Sequence, residues 1–335
     1  MIRTNIIAGK RTLLSTVFGP YEMLAQAGIF WNSLVGEKLE QQFDITLTSV
    51  GGQAINGLNG TSAHPQGKLS ENDEFELLIV PSEGLEIRID SEDFERRVAY
   101  LKMMHDKGSV IASVCTGTFL LAAAGLLDDK LATTHWALAN QFRFAFPKVQ
   151  LNTDLIVADT GQTVTSGGVT ADQDLSMHLI ARFCDHSVAR NTARCTLAEF
   201  RERTQQPFAS FIEDFNHGDA AILKCQHHIK SHIYQELVVA KLAEKFGIGP
   251  RSLNRRFKRA TGHTTIDYIH QLKVNEAKLL LETQRQSFES IAHSLRYENT
   301  SFFRRLFKKH VGLSPKDYRS LFAGTWSLTG HTLKR

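Results

Sequence analysis

No stretch of this 335-residue chain is apolar for the roughly 18 residues that a membrane-spanning helix needs. Its first residues, MIRTNIIAGKRTLL, include basic side chains but no sustained apolar core ahead of a small-residue cleavage site, so no export signal is expected. The four cysteines, Cys115, Cys184, Cys195 and Cys225, never fall in CxxC spacing. That argues against a zinc knuckle or a disulfide framework, and neither metal nor cofactor is expected. A reducing cytoplasm is the compartment that fits. Low-complexity tracts are missing as well. What remains, 42% hydrophobic and 22% charged, is ordinary globular chain, long enough for two or three cores.

Charge is unevenly spread. Residues 226 to 323 carry 18 Lys+Arg against 8 Asp+Glu, whereas residues 1 to 225 carry 19 against 27. The first two thirds repel polyanions and the last third attracts them, which makes that third a candidate phosphate-binding surface.

The same third repeats itself. SLNRRFKRATGHTTIDYI (Ser252 to Ile269) matches FFRRLFKKHVGLSPKDYR (Phe302 to Arg319) at a constant offset of 50, pairing Arg255 with Arg305, Phe257 with Phe307, Gly262 with Gly312 and Tyr268 with Tyr318. Upstream, VVAKLAEKFGIG and SFESIAHSLRYE align at an offset of 49, with Ala243 and Ala292 each following a branched apolar residue. The intervening turn is therefore one residue longer in the second copy. Two short helices crossing over an alanine and joined by a tight turn make a helix-turn-helix. In the second helix of each copy, Leu253 and Phe257, then Phe303 and Phe307, mark the inward stripe. The outward face carries Arg251, Asn254, Arg255 and Lys258 in the first copy, and Ser301, Arg304, Arg305 and Lys308 in the second. Arginine can pair bidentately with guanine and asparagine with adenine, while lysine mostly takes phosphate. Pro250 and Asn299 suit helix starts. IDYIHQLKVNEAKLLLET (Ile266 to Thr283) is expected as a long helix that spaces the two readers by about one DNA turn, roughly 34 Å.

Residues 226 to 322 resemble the AraC/XylS family of bacterial regulators, on LAEKFGIGPRSLNRRFKRATG, KVNEAKLLL and IAHSLRYENTSFFRRLFKKHVGLSPKDYR. The resemblance implies two helix-turn-helix units reading successive major grooves of promoter DNA. Its base-reading positions fall at Arg251, Asn254, Arg255, Ser301, Arg304 and Arg305.

The first two hundred residues alternate strand-like and helix-like patterns. RTNIIAG, FDITLTSV, FELLIVP and SVIASV are short apolar runs suited to buried parallel strands, and Asp90 to Gly108 has a helical pattern with early acids and a closing glycine. An α/β domain follows, a mostly parallel sheet flanked by helices. Its sharpest feature is SVIASVCTGTFLLAAAGLL, where a strand ends at Val114, Cys115 follows and a helix opens. That shape resembles a nucleophile elbow, and a helix N-terminus there is expected to lower a thiol's pKa. His135, in ATTHW, is a possible partner or a buried structural histidine.

With TSGGVTADQDLSMHLIARF, these segments resemble PfpI-like, class I glutamine amidotransferase-like domains over residues 2 to 183, and the pairing with an AraC-type tail resembles the GlxA type of regulator. Enzymes of that class set a carboxylate against the cysteine from the loop after the first strand. Here Thr16 stands in that loop, and Thr116 stands where proteolytic members carry histidine. The expectation is therefore a non-enzyme in which Cys115, Thr116, Thr16 and His135 serve a ligand or sensor pocket. A cysteine hydrolase, amidase or glyoxalase-like enzyme using Cys115 and His135 is the alternative, with redox sensing of the thiol between them.

The expected layout is a sensory domain over 1–190, a helical linker over 191–225, an all-α double helix-turn-helix domain over 226–323 and a frayed tail. Expected partners are double-stranded promoter DNA, a second copy in a homodimer and a small-molecule effector, without a membrane.

Overall fold

The computed structural model describes residues 1–84, 91–199 and 204–323, and the chain divides into two compact units, Met1–Gln205 and Gln206–Arg335. The boundary falls inside the segment expected as linker. There the last helix of the first unit ends at Thr196, and the described residues 204–219 contain no helix. The expected tail lies outside the described residues.

In the first unit the strands are β1 (Ile2–Ile7), β2 (Phe43–Ser49), β3 (Ile55–Asn56), β4 (Ser62–Ala63), β5 (Gly67–Lys68), β6 (Leu77–Val80), β7 (Val110–Val114), β8 (Leu131–Ala132), β9 (Gln150–Leu151), β10 (Val157–Asp159) and β11 (Thr163–Ser166). Seven of them form one sheet in the order β10-β11-β7-β6-β1-β2-β5. All its pairings are parallel except the edge pair β10–β11. The four apolar runs seen in the sequence are β1, β2, β6 and β7. LLIV of β6 is buried at every position, as a strand covered on both faces requires.

The described residues of this unit also form the α-helices α1 (Ser15–Ala25), α2 (Phe30–Val35), α3 (Glu92–Asp106), α4 (Thr118–Ala123), α5 (Ala139–Ala145), α6 (Ala171–Phe183) and α7 (His186–Thr196). Strand alternation sorts the core into two halves. Ile6, Leu77, Ile79, Ala112 and Val114 pack with Val17, Leu24, Leu175 and Ala189 of α1, α6 and α7. Ile7, Leu78, Val80 and Ile111 face the other way, onto Phe94, Leu101, Phe119 and Phe142 of α3, α4 and α5.

Among the described residues of the second unit the regular elements are helices: α8 (Ala220–Ser231), α9 (Val239–Lys245), α10 (Pro250–Thr261), α11 (Thr265–Thr283), α12 (Phe288–Ser294), α13 (Thr300–Val311) and α14 (Pro315–Phe322). The sequence repeat is a repeat of caps as well as of cores. Thr264 accepts from Asp267 N–H to open α11, and Ser314 accepts from Asp317 N–H to open α14. Gly262 and Gly312 end α10 and α13 at φ 78° and 76°, a left-handed conformation that costs glycine little. The inner turns differ by the one residue that the offsets imply. Gly247 takes φ 63° in the first, and Arg296 takes the same angle in the second.

Helix α11 belongs to two cores. Tyr268, Ile269 and Leu272 pack with Leu242, Ala243, Leu253 and Phe257. Val274, Ala277 and Leu281 pack with Ile291, Ala292, Phe303, Phe307 and Tyr318. The two crossing alanines are 1% and 0% exposed, so the helices of each pair approach with no room for a larger side chain.

Candidate functional site

The apolar stripe of α10, Leu253 and Phe257, is fully buried, and this turns Arg251, Arg255, Lys258 and Arg259 to solvent. Asn254, expected as a base reader, is half-buried, and its Oδ1 accepts Thr265 N–H at 3.2 Å, so its amide oxygen helps to close the start of α11. Arg256 is taken up by Asp219, with Nε–Oδ2 2.9 Å and Nη2–Oδ1 2.5 Å. The Arg256 bonds, together with backbone N–H groups at the start of α8, hold the Asp219 carboxyl down at about 2.

In α13, Phe303, Leu306 and Phe307 point inward, and Ser301, Arg304, Arg305, Lys308 and Lys309 are exposed. Asn299 caps the helix, accepting Phe302 N–H at 2.9 Å. Arg304 forms an ion pair with Glu289 of α12 and lies 5.7 Å from the Phe288 ring centre. Arg259 and Lys309, which the sequence reading did not single out, extend each basic face by one residue. Their signal was the doubled basic pairs KR and KK that close each copy.

In the first unit β7 delivers Cys115 with φ 54°, in the left-handed region where a non-glycine residue is strained. Gly117 permits the turn, because a Cβ there would meet the Val80 carbonyl oxygen at 2.4 Å. The Cys115 side chain is 2% exposed, and burial pushes its thiol above the ordinary range despite hydrogen bonds from Ser82 and the Thr116 backbone. Around it runs a closed hydroxyl network. Thr16 Oγ1 donates to Leu13 O at 2.7 Å and accepts Ser82 N–H at 2.9 Å. The hydroxyls of Ser82 and Thr116 lie 2.9 Å apart, and Thr116 Oγ1 accepts Glu83 N–H at 2.8 Å. Ser82 is a member that the sequence reading missed.

Two further groups could have served chemistry at the thiol. Glu83 instead forms an ion pair with Arg97 of α3, and Arg97 also binds Asp93 at 2.9 Å. His135 caps a short turn, its Nδ1 accepting Ala137 N–H at 3.1 Å, and burial lowers its pKa by disfavouring the charged imidazolium. The ATTHW segment touches the elbow through Thr134, whose hydroxyl donates to Cys115 O at 2.8 Å. Gln205 locks that segment, its amide donating to Thr134 O at 2.9 Å and accepting Trp136 N–H at 3.1 Å.

A cavity of about 650 Å³ opens beside this network, at the carboxyl ends of β1, β2 and β6. The strand order reverses there, the chain passing from β1 outward to β2 and then back to β6 on the other side, a placement that favours ligand crevices in open α/β sheets. Gly9, Lys10, Ser49, Gln53, Glu83 and Arg96 are among its lining residues. Cys115, Thr116, Thr16 and His135 are not among them. Among the described residues no helix is long and apolar enough to cross a membrane.

Comparison with known proteins agrees with both halves. A helix-turn-helix domain family model matches residues 242–320, and the DJ-1/PfpI family model matches residues 10–182. The chain is 25% identical to the HTH-type transcriptional regulator CdhR of Pseudomonas aeruginosa, across 82% of this chain and 80% of that protein. It is 27% identical to the HTH-type transcriptional regulator GlxA of Rhizobium meliloti, across 86% of this chain and 87% of that one. Drosophila melanogaster DJ-1beta shares the fold at a TM-score of 0.50 and 16% identity, over 59% of this chain and 99% of that chain. An AraC family transcriptional regulator from Pseudomonas putida does so at 0.50 and 18%, over 58% and 100%. The chain belongs to the DJ-1/PfpI family, and with its C-terminal helix-turn-helix domain it is a DNA-binding transcriptional regulator of the AraC/XylS, GlxA-type kind.

Proposed function

We propose that the two helix-turn-helix units read adjacent major grooves of one promoter duplex, and that a small polar effector held in the first unit alters this binding without turnover at Cys115. The observation that carries the proposal is the duplicated reading helix. Arg255 and Arg305 occupy the same repeat position, both exposed, on helices packed against one shared α11. Exposed Lys258 and Lys308 suit phosphate, and Arg251, Arg255 and Arg305 suit base edges. Asn254 and Arg304 have partners within the domain, so their part in reading requires exchanging those partners for DNA.

Two features favour binding over catalysis. General acid–base work needs a group of matched pKa within reach of the nucleophile. Here Thr16 and Ser82 stand in that role's place, the thiol is raised by burial, and Glu83 is spent on Arg97. The cavity at the strand ends has the size of a metabolite site and a mixed polar lining. The reading includes a cytoplasmic homodimer, because paired sites multiply the affinity of each reader.

The test begins with duplexes selected from random DNA by the full-length protein. Arg255→Ala and Arg305→Ala are each expected to weaken binding by about 5- to 150-fold, the worth of one bidentate base contact. Each should erase protection over one half-site only, the two halves lying about 34 Å apart. A variant that keeps both halves protected overturns the two-reader proposal. Cys115→Ala should leave binding within about twofold, the scale of a substitution remote from the interface; an ester, amide or dicarbonyl turnover that it abolishes would restore the enzyme reading.

A further inference from the structure

Three chain segments converge on one buried cation in the second unit. Lys273 lies near the middle of α11 and is 4% exposed. Its ammonium donates to Leu295 O at 2.7 Å and to Gln235 O at 3.3 Å, and it sits 5.3 Å from the Tyr297 ring centre. Leu295 ends α12, the first helix of the second helix-turn-helix. Gln235 lies in the connection that leads into α9, the first helix of the first. A parallel tie runs beside it, where Arg296 Nε donates to Tyr234 O at 3.1 Å and the Tyr234 hydroxyl binds Glu276 of α11.

We propose that Lys273 is a positioning residue that sets the register between the two reading units by holding a carbonyl of each at once. The inference rests on the reading that both units engage one duplex.

The chemistry needs this residue type. An ammonium carries three N–H donors and no acceptor, and the groups around Lys273 are two carbonyl oxygens and an aromatic face, all electron-rich. A buried cation is costly compared with an apolar residue of similar volume, so a methionine would serve packing alone better. Lys278, five residues further along the same helix, shows the contrast. It donates to Ala209 O at 2.7 Å and lies 5.3 Å from the Tyr318 ring centre, bridging no second helix-turn-helix turn. It is the internal control.

Rigid spacing matters because two readers on one duplex gain affinity only when the span between them matches the half-sites. Loosening the tie therefore weakens binding to the correctly spaced site and leaves each reader's own half-site affinity alone.

Titration offers a second handle. Burial pulls the Lys273 ammonium down to about 8; like-charged Arg296 adds to this, Glu236 opposes it, and His270, one turn earlier, is itself held toward its neutral form by burial. Because this folded value lies below the ordinary lysine value, raising the pH from 7 to 9 removes the proton without lowering fold stability on this group's account. The carbonyl ties lose their ionic strengthening over the same range.

The experiment measures binding to the selected duplex, to each half-site alone and to versions with one to five base pairs inserted between the halves. Lys273→Met is expected to bind the parent spacing about tenfold more weakly, the worth of one charge-assisted hydrogen bond. It should also tolerate insertions better, bind half-sites as the parent does, and be rescued by Lys273→Arg. The parent should lose spacing selectivity between pH 7 and 9, as should Lys278→Met, whereas Lys273→Met should not change. Equal losses on half-sites and full site, or an unaltered insertion profile, overturn the proposal. Should Lys273→Met fail to fold, a spacing profile of Lys278→Met that does not move with pH overturns it instead. If Arg255→Ala and Arg305→Ala both leave the full site untouched, the two-reader premise falls and the proposal falls with it.

Discussion

The surroundings of the elbow in the first unit and the reading helices of the second treat charge in opposite ways. In the first, Arg97 is 2% exposed and saturated by Glu83 and Asp93, and Asp172 is 6% exposed at the start of α6. In the second, α10 and α13 hold cations out to solvent; Arg256 and Arg304 are drawn into ion pairs with Asp219 and Glu289, and the exposed Arg259 reaches Asp219 at 4.0 Å. An elbow whose neighbours satisfy one another has little left over for a substrate. A helix whose cations face outward has a deficit that a polyanion fills.

Breaking the buried side of the comparison should have the largest effect. Arg97→Met strands two carboxylates and is expected to cost the first unit about 3–5 kcal/mol in urea unfolding. Lys308→Met on the exposed side should stay within about 0.5 kcal/mol. A loss at Arg97 below that second figure would erase the contrast.

Asp172 sharpens it through pH. Burial raises its carboxyl to about 6, above its value in the unfolded chain, so the ionised form burdens the fold. The burden is complete above pH 6 and absent below the unfolded value of about 4. Asp172→Asn is therefore expected to raise stability by about 3 kcal/mol at pH 7.5 and by nothing at pH 3.5. An equal gain at both pH values would mean that the ionised carboxylate is not the source.

The smallest effect separates the two copies in the second unit. Helix α13 opens on the Asn299 side-chain cap, whereas α10 opens on Gly249 and Pro250 with no side-chain acceptor. Asn299→Ala should cost about 1 kcal/mol, visible as faster amide exchange in the first turn of α13. Exchange in α10 should not move.

How much of this was legible in the sequence follows from the range of each interaction. The strands β1, β2, β6 and β7 declared themselves because buried parallel strands are apolar throughout. The helix-turn-helix pairs did so because their turns, caps and crossing alanines repeat at offsets of 49 and 50. The elbow was legible as a strand–cysteine–glycine–helix sequence. Its surroundings were not, since Ser82 meets Thr16 across 66 residues and Glu83 meets Thr116 across 33. The outward faces of α10 and α13 were legible from helical spacing alone, but the fate of individual side chains on them was not. Asn254 is short enough to turn back onto Thr265, and Arg304 finds Glu289 fifteen residues earlier in the chain. Periodicity gives direction and does not give partners.

The 19 residues of α11 also act as a ruler whose graduations are fixed. Inserting one residue into that helix would swing one reader about 100° around the axis and advance it about 1.5 Å. Four residues overshoot a full turn by about 40°, and seven return to within about 20°. Insertions and deletions that descendants of this gene could tolerate in α11 thus come in near-whole turns, each needing a matching change in the DNA between half-sites. The loops of the first unit face no such constraint, so length variation should gather there while the ruler keeps its count.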